Sequence, residues 1–592
     1  MKSSPFNRNF VNELIPVVVC FLLSGFVVWW YLYLNRYLCF FYREQSQMFL
    51  FSREYFLQHI EQPGGLTAYT ASFLTQFFYY PVMGTCIYLL IFLGLYRIFK
   101  LVLDKFSLFK NSFIAAFIPC LLFLPASVQL QFDIADWLSV IFALAGFLVL
   151  TVLTRNRHYY LLIPAAIPVF YVIAGGNVLL ILILFVLYSY FKRQNDYWKH
   201  ILISIFSLFI PVALWYFFYF ISFNDACIAQ TIFRYHDAHW LDIRVISWSS
   251  VVFIPMIGLL LKNVKAGSKW ILSFNIGFGV FVMMMIVKLH KPDSENIIKM
   301  GYDAGKNNWK NILAVSKKSS ISPINCFYTN LALQKTGEMA EKMFKYDQIG
   351  MPGLIIDMED SFSCQAKSEL FYNLGLINIA QQYAFESMIG YTNFKEPNIR
   401  NLKRLLECAV VKQDNNLAVK YEKILEKTLF YKDYVKKQEV LSGFPSPIKT
   451  KDMLSRDIPE ILASVMEDNP GNQAVFEYLM ACYMLEREYE KAKNCFDRYF
   501  YNFPYTKIPT HYAELLVLYK LLKQLDDRFY EQYPVSREIR ERFDMMDVLV
   551  SSQMSKKIQK VLEDGFMDTY WFYVKFPLMN LQTIQKDEKN IY

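Results

Sequence analysis

The 592-residue sequence contains no Walker loop, no GxSxG, no HExxH and no Rossmann glycine fingerprint, which removes support for nucleotide hydrolysis and for serine or zinc hydrolase chemistry. Its 10 cysteines form no CxxC pair and no metal-ligand spacing, so neither a zinc site nor a haem attachment follows. Cys20, Cys86 and Cys120 sit inside apolar runs as small hydrophobes, and Cys482 and Cys495 read as two buried thiols, a bridge across a helical hairpin being the other reading. Charge is sparse, at 19% of residues, and the net +9 gathers on no basic face: Lys and Arg fall at the ends of apolar runs or among acids, which excludes nucleic acid as a partner.

What is abundant is apolar and aromatic. The chain is 55% hydrophobic and 18% aromatic, with 53 Phe and 41 Tyr, a composition that contact with a lipid bilayer explains. Apolar stretches near 13–35, 81–99, 112–128, 134–154, 159–175, 177–191, 200–222, 246–261 and 270–288 suit the crossing of hydrocarbon, giving about nine spans. The first lacks a small-residue cleavage site and reads as an uncleaved span. Lys and Arg cluster in alternate loops: Lys2 and Arg8; Arg97, Lys100, Lys105 and Lys110; Arg155 and Arg157; Lys192, Arg193 and Lys199; Lys262, Lys265 and Lys269. By the positive-inside rule those loops are cytoplasmic, as is the N-terminus, and everything after Lys288 lies outside.

From His290 onward apolar residues recur at helical spacing with charges between them, the pattern of a soluble helical domain. Cys326–Asp347, Leu402–Leu429 and Gln473–Phe500 look like helix-turn-helix repeats. In the last, Tyr478, Ala481, Tyr483, Tyr489, Ala492 and Phe496, followed by Pro504, fall close to the tetratricopeptide (TPR) pattern. The expected fold class is therefore all-α: a multi-pass bundle over 1–290, with interfacial helices in its first external loop at 35–80, then an extracytoplasmic TPR-like domain over 291–592. A bundle of irregular helical hairpins is the alternative for the second half.

Chemistry is expected in the external loops. Around Tyr42–Phe56 charged groups share helical turns with bulky aromatics, which suits a helix lying on the membrane, and Pro63-Gly64-Gly65 separates it from a second such helix. Glu44, just beyond the first span, is either a salt-bridge partner of Arg43 or a group facing a cavity; Glu54 and Glu61 read as solvated acids. Asp133 and Asp136 occupy the short second loop, with helix capping and a cavity role both open. In the fourth loop Arg234, His236 and Arg244, with Arg43 from the first, are candidates for contacting a phosphate. Plain headgroup anchoring is the other reading. His236 and His239 with Asp237 and Asp242 could also hold a divalent metal if helical, but no cofactor is expected.

The arrangement over residues 1–290 resembles the C-type glycosyltransferases, multi-pass enzymes that use polyprenyl-phosphate-linked sugars. It rests on a cytoplasmic N-terminus, two interfacial helices and an acid soon after the first span, and a short acidic second loop. It rests also on Arg155-Asn156-Arg157-His158-Tyr159-Tyr160-Leu161-Leu162, leading into paired spans that turn at Gly175-Gly176. The resemblance implies that Glu44 is a general base or acceptor-orienting group and that Asp133 or Asp136 is a second catalytic acid. The family's usual first-loop aspartate is Glu here, and the loop holds no aspartate. The whole chain also resembles a bacterial family of membrane proteins with a helical-repeat tail, which places it in the inner membrane but implies no activity.

Two readings compete. One is transfer of a sugar from a polyprenyl-phosphate carrier at the external face, with the helical domain holding a glycan or protein acceptor. The other is a non-catalytic anchored scaffold for cell-envelope assembly. A transporter is disfavoured, because charges in span centres are scarce and no matched pair of interrupted helices is present.

Overall fold

A few side chains decide where helices begin. Ser52, Asp133 and Ser222 each precede a helix in extended backbone and accept a hydrogen bond from the N–H of Tyr55, Ala135 and Asp225 respectively, satisfying donors that a helix start leaves open. The computed structural model describes residues 25, 37–106, 115–129, 132–191, 197–234, 242–260, 277, 280–281, 283–288, 292–357, 360–389, 398–434, 457–552 and 556–576. Among these every regular element is an α-helix or a short 3-10 turn, and there is no strand. The chain divides into two compact units. One comprises Met1–Lys291 with Asn393–Ile399 and Lys423–Tyr434, the other Pro292–Thr392, Arg400–Glu422 and Val435–Tyr592.

The first unit contains α1 (Tyr37–Ser46), α2 (Arg53–Ile60), α3 (Gly65–Thr75), α4 (Pro81–Phe106), α5 (Phe117–Val128) and α6 (Ile134–Leu153). They are followed by α7 (Tyr159–Ala174), α8 (Val178–Phe191), α9 (Tyr197–Phe218), α10 (Phe223–Ile228) and α11 (Ile243–Leu260). The expected span count needs correction. Four helical stretches among the described residues are long and apolar enough to cross a membrane, not nine: Pro81–Phe106, Ile134–Leu153, Tyr159–Phe191 and Tyr197–Phe218. Phe117–Ser127 and Ile243–Met256 are apolar but shorter, and α5 and α11 carry Pro125 and Pro255 in their interiors, where proline removes a backbone donor. The runs expected at 13–35 and 270–288 and the basic loop at 262–269 lie wholly or mostly outside the described residues.

The stretch Tyr159–Phe191 doubles back. The Tyr159 ring, at the start of α7, lies 5.1 Å from the His200 ring, and His200 also meets the Ser189 hydroxyl at 2.8 Å near the end of α8. Both ends thus reach one residue, and the reversal falls at Gly175-Gly176. Gly175 has φ +59°, and a Cβ on Gly176 would run into the Cys227 carbonyl, so the turn needs glycine. At 16 and 14 residues, α7 and α8 cover about 24 and 21 Å each.

Helix α6 is largely enclosed, 61% of its apolar window being buried, and its N-terminal end lies beside the α7–α8 reversal through the Asn177 amide, which donates to Ser139 at 2.8 Å. Phe147, further along α6, stacks on Phe106 at 5.8 Å and meets Tyr188 at 5.9 Å. Helix α9 is peripheral: only 11% of its window is buried, and Trp198, Leu202, Phe206 and Phe209 stand exposed, the kind of surface a bilayer would cover.

In the second unit six helix ends share one geometry. Asn307, Gly337, Gly375, Gln413, Arg487 and Gln524 all have positive φ, and the N–H of the next residue returns to a carbonyl five positions back, as from Glu338 to Leu333 and from Leu376 to Phe371, both at 2.8 Å. This is the left-handed closure that ends a helix and lets the following one fold back. The antiparallel pairs Ser361–Asn373 with Ile377–Ile389 and Gln473–Leu485 with Tyr489–Tyr499 follow from it. Tyr478, Ala481, Ala492 and Phe496 are buried in the second pair, Tyr483 and Tyr489 are half-buried, and Cys482 and Cys495 are buried free thiols.

Candidate functional site

Three loops of the first unit interlock. The Gly64 N–H donates to the Tyr171 carbonyl at 2.9 Å, the Thr67 hydroxyl to Ile173 at 2.6 Å, and the Gly176 N–H to Ala229 at 2.8 Å. Gln230 is the knot. Its backbone has φ +54°, uncommon for a side-chain-bearing residue, and its carbonyl accepts from Ser139 at 2.9 Å and from the Asn177 amide at 2.8 Å. Its side-chain oxygen accepts from Arg234 at 3.1 Å, which aims the guanidinium at the start of α6.

There Arg234 meets both acids of the second loop, Asp133 at 3.4 Å and Asp136 at 3.1 Å. Asp133 is the N-cap of α6, accepting from Ala135 at 3.0 Å. Asp136 lies in the first turn and is 1% exposed. Two carboxylates at a helix N-terminus are favoured by the helix dipole, and the guanidinium balances the second. The capping role considered for Asp136 thus belongs to Asp133.

Arg43 and Glu44 are neighbours on α1 and look in different directions, since consecutive helical residues point about 100° apart. The Arg43 guanidinium, 3% exposed, donates to the Tyr88 hydroxyl and to the carbonyls of Ser127 and Gln129, both at 2.8 Å. It thereby ties the first loop to the segment leading into Asp133, while the Tyr88 ring packs 5.8 Å from Trp137 on α6. Glu44, 5% exposed, turns to a segment far along the chain: the Tyr431 hydroxyl donates to its two oxygens at 2.7 and 2.9 Å. Gln45 donates both to Glu44 and, at 2.6 Å, to the Tyr431 oxygen. Burial and the Glu44 charge drive the Tyr431 phenol far above its ordinary pKa, so it remains a neutral donor. Around it Phe430 stacks on Tyr79 at 5.0 Å, and the Phe51 N–H donates to the Lys427 carbonyl at 2.8 Å.

Glu44 lines a cavity of about 20 Å³, room for one water, together with Gln47, Met48, Phe49, Ser72, Thr75, Gln76, Ile399 and residues 428–431. Asp133, Asp136 and Arg234 do not line it. The candidates therefore fall into two groups, Glu44 with Tyr431 and the two aspartates with Arg234, and Arg43 connects them. Arg244, 2% exposed, pairs with Asp242 at the start of α11, its Nε donating to the two carboxylate oxygens at 3.0 and 3.1 Å and its Nη2 to Oδ2 at 2.5 Å. His236, with Asp237 and His239, lies outside the described residues. Glu54 is exposed, its carboxyl held below the usual range by its own backbone N–H and by Ser52.

Sequence reading missed Gln230, Asn177 and Tyr431. The first two could have been suspected only from polar residues flanking a Gly-Gly turn. Nothing local to residues 427–431 announces the third, 387 positions from its partner.

Fold and polar clusters together define an all-helical protein with membrane-type apolar helices in one unit and amphipathic helical hairpins in the other. The chain belongs to DUF6057, a family of unknown function whose pattern matches residues 11–577. No curated protein and no solved structure matches it.

Proposed function

We propose that this protein is a membrane-embedded glycosyltransferase of the C type, taking a sugar from a polyprenyl-phosphate carrier at the external face of the bacterial inner membrane. The supporting observation is the Arg43 guanidinium, which bridges the helix carrying Glu44 to the carbonyls of Ser127 and Gln129, directly ahead of the acidic turn of α6. Arg43 thereby links the helix of Glu44 to the segment that leads into Asp133, and the proposed reaction draws one residue group from each side of that link. In the proposed step Glu44 takes the proton from an acceptor hydroxyl whose oxygen bonds to the anomeric carbon. The bond from that carbon to the phosphate oxygen breaks, its electron pair leaving on the phosphate, and Arg234, positioned by Asp133, Asp136 and Gln230, meets the developing charge. No metal enters this scheme.

The second unit is assigned as a TPR-like repeat domain that holds the acceptor or a protein partner. Its six left-handed turns support this, being 30, 38, 38, 74 and 37 residues apart in order, against a repeat of about 34 for TPR. The N-terminus is assigned to the cytoplasm and the second unit to the extracytoplasmic side, on the alternation of basic loops.

The test is Glu44→Gln in full-length protein reconstituted with polyprenyl-phosphate-linked sugars. Product formation should fall by about 100-fold or more, the share a general base supplies, at unchanged abundance and unfolding temperature. Unaltered turnover overturns the assignment. The second reading, an anchored scaffold, draws on the small volume of the Glu44 cavity and on the protein partners already held by Asp133, Asp136 and Arg244. On that reading, replacing Glu44, Asp133 and Asp136 together leaves cells unaffected, and deletion of residues 292–576 does not.

A further inference from the structure

We infer that the Glu44 cavity is a subsite for a hydroxyl-bearing ring, the acceptor sugar if the transferase reading holds, and that Tyr431 occupies it in the present conformation. The inference rests on that reading only for the word acceptor. The cavity itself is defined by its chemistry.

Three residues of its lining carry buried hydrogen-bond acceptors. Glu44 contributes a carboxylate, and Gln47 and Gln76, 8% and 9% exposed, each contribute a side-chain oxygen with no hydrogen-bond partner among the described residues. For Gln76 the orientation is fixed, because its NH2 donates to the Phe73 carbonyl at 2.8 Å and leaves Oε1 as the open acceptor. Buried acceptors without donors are uncommon and call for a ligand that supplies them. Phe49 and Phe430 also line the cavity. Acceptors beside aromatic faces suit a ring that carries several hydroxyls and has an apolar face.

The hydroxyl already bound there gives the preference its direction. The Tyr431 phenol is a neutral hydroxyl on a six-membered ring, and it satisfies both Glu44 oxygens at 2.7 and 2.9 Å. The remaining space holds about one water, so a ring-sized ligand enters only as Tyr431 withdraws. Besides its hydrogen bonds to Glu44 and Gln45, the contacts around Tyr431 are between side chains or within its own turn: its ring meets Tyr79 at 5.9 Å, its N–H donates to the Thr428 hydroxyl at 3.2 Å, and the neighbouring Phe430 packs on Phe77, Tyr79 and Tyr80.

The test reads the reactivity of Glu44 toward a hydrophobic carbodiimide, located by mass spectrometry in full-length protein in lipid nanodiscs. Tyr431→Ala should raise labelling of Glu44 by about tenfold or more, the factor for losing one hydrogen bond to a charged group, and glucose, galactose or mannose should then reduce it. Tyr431→Phe, which keeps the ring, covers the case in which the alanine variant fails to fold, and it should give a smaller rise in the same direction. Labelling that does not rise in either variant overturns the inference. So does protection by magnesium ions and not by monosaccharides, which would make the cavity a cation site. A positive result together with intact turnover in Glu44→Gln leaves the subsite standing while the transferase reading falls, so the two fail separately.

Discussion

Glu369 is the most informative ionisable residue outside the candidate site. Burial alone would raise its carboxyl, yet the guanidiniums of Arg404 at 2.9 Å and Arg400 at 3.5 Å outweigh that and hold it below the usual carboxylate range. Arg404 in turn lies over the Tyr372 ring at 3.9 Å and pairs with Glu407 at 2.9 Å. A carboxyl with a depressed native pKa stabilises the fold fully above its unfolded value of about 4.3 and loses that contribution as pH falls through the native value. The full-length protein should therefore lose thermal stability in acid more steeply than Glu369→Gln, which should itself cost roughly 2 kcal/mol near neutral pH by removing the buried carboxylate that two half-buried guanidiniums share. Parallel acid limbs in the two unfolding profiles would refute this. Glu44 shows what can be read one residue at a time: its place just past an apolar run left a salt bridge with Arg43 and a cavity-facing role both open, and in the structure it is buried and lines a cavity. Its actual partner could not be read so, because Tyr431 is brought to it only by the folding of the chain.

At the scale of elements, the ends of the apolar helices were the best legible feature. The loops assigned outside on charge alone, at 35–80, 129–133, 175–176 and 223–244, are linked by hydrogen bonds: Arg43 to the Gln129 carbonyl, Gly64 to Tyr171 just before the Gly175-Gly176 turn, and Gly176 to Ala229. The loop carrying Arg155 and Arg157, by contrast, leads into Tyr159, which meets His200 beside Lys199. Span lengths were legible less well. Apolar runs of 15–20 residues do not distinguish a full crossing from a short helix with a proline inside it or from a stretch that turns at a glycine pair; four stretches of crossing length are found among the described residues, and two of the nine expected runs lie mostly outside those residues. In the second unit the spacing of side chains suggested hairpins. The regular feature, a left-handed residue closing six helices, stays hidden because four of the six are Asn, Gln or Arg and not Gly. Those positions carry strain that glycine would relieve. Gln413→Gly and Gln524→Gly, both at exposed turns, should each raise stability by roughly 1 kcal/mol, seen as a higher unfolding temperature. A lowered temperature would mean that these side chains make contacts outweighing their backbone cost.

At the scale of the molecule, both functional readings require the polar end of the first unit and the second unit to face one aqueous compartment. The most direct measurement is cysteine accessibility in intact cells, in a background without native cysteines, with single cysteines at the exposed positions Phe51, Asn224, Asn156 and Gln524 and a membrane-impermeant maleimide. The proposed arrangement requires labelling from outside at 51, 224 and 524, and labelling at 156 only after the inner membrane is opened. Labelling at 156 from outside, with 51 and 524 protected until permeabilisation, would contradict it and place Glu44, Arg234 and the helical unit in the cytoplasm.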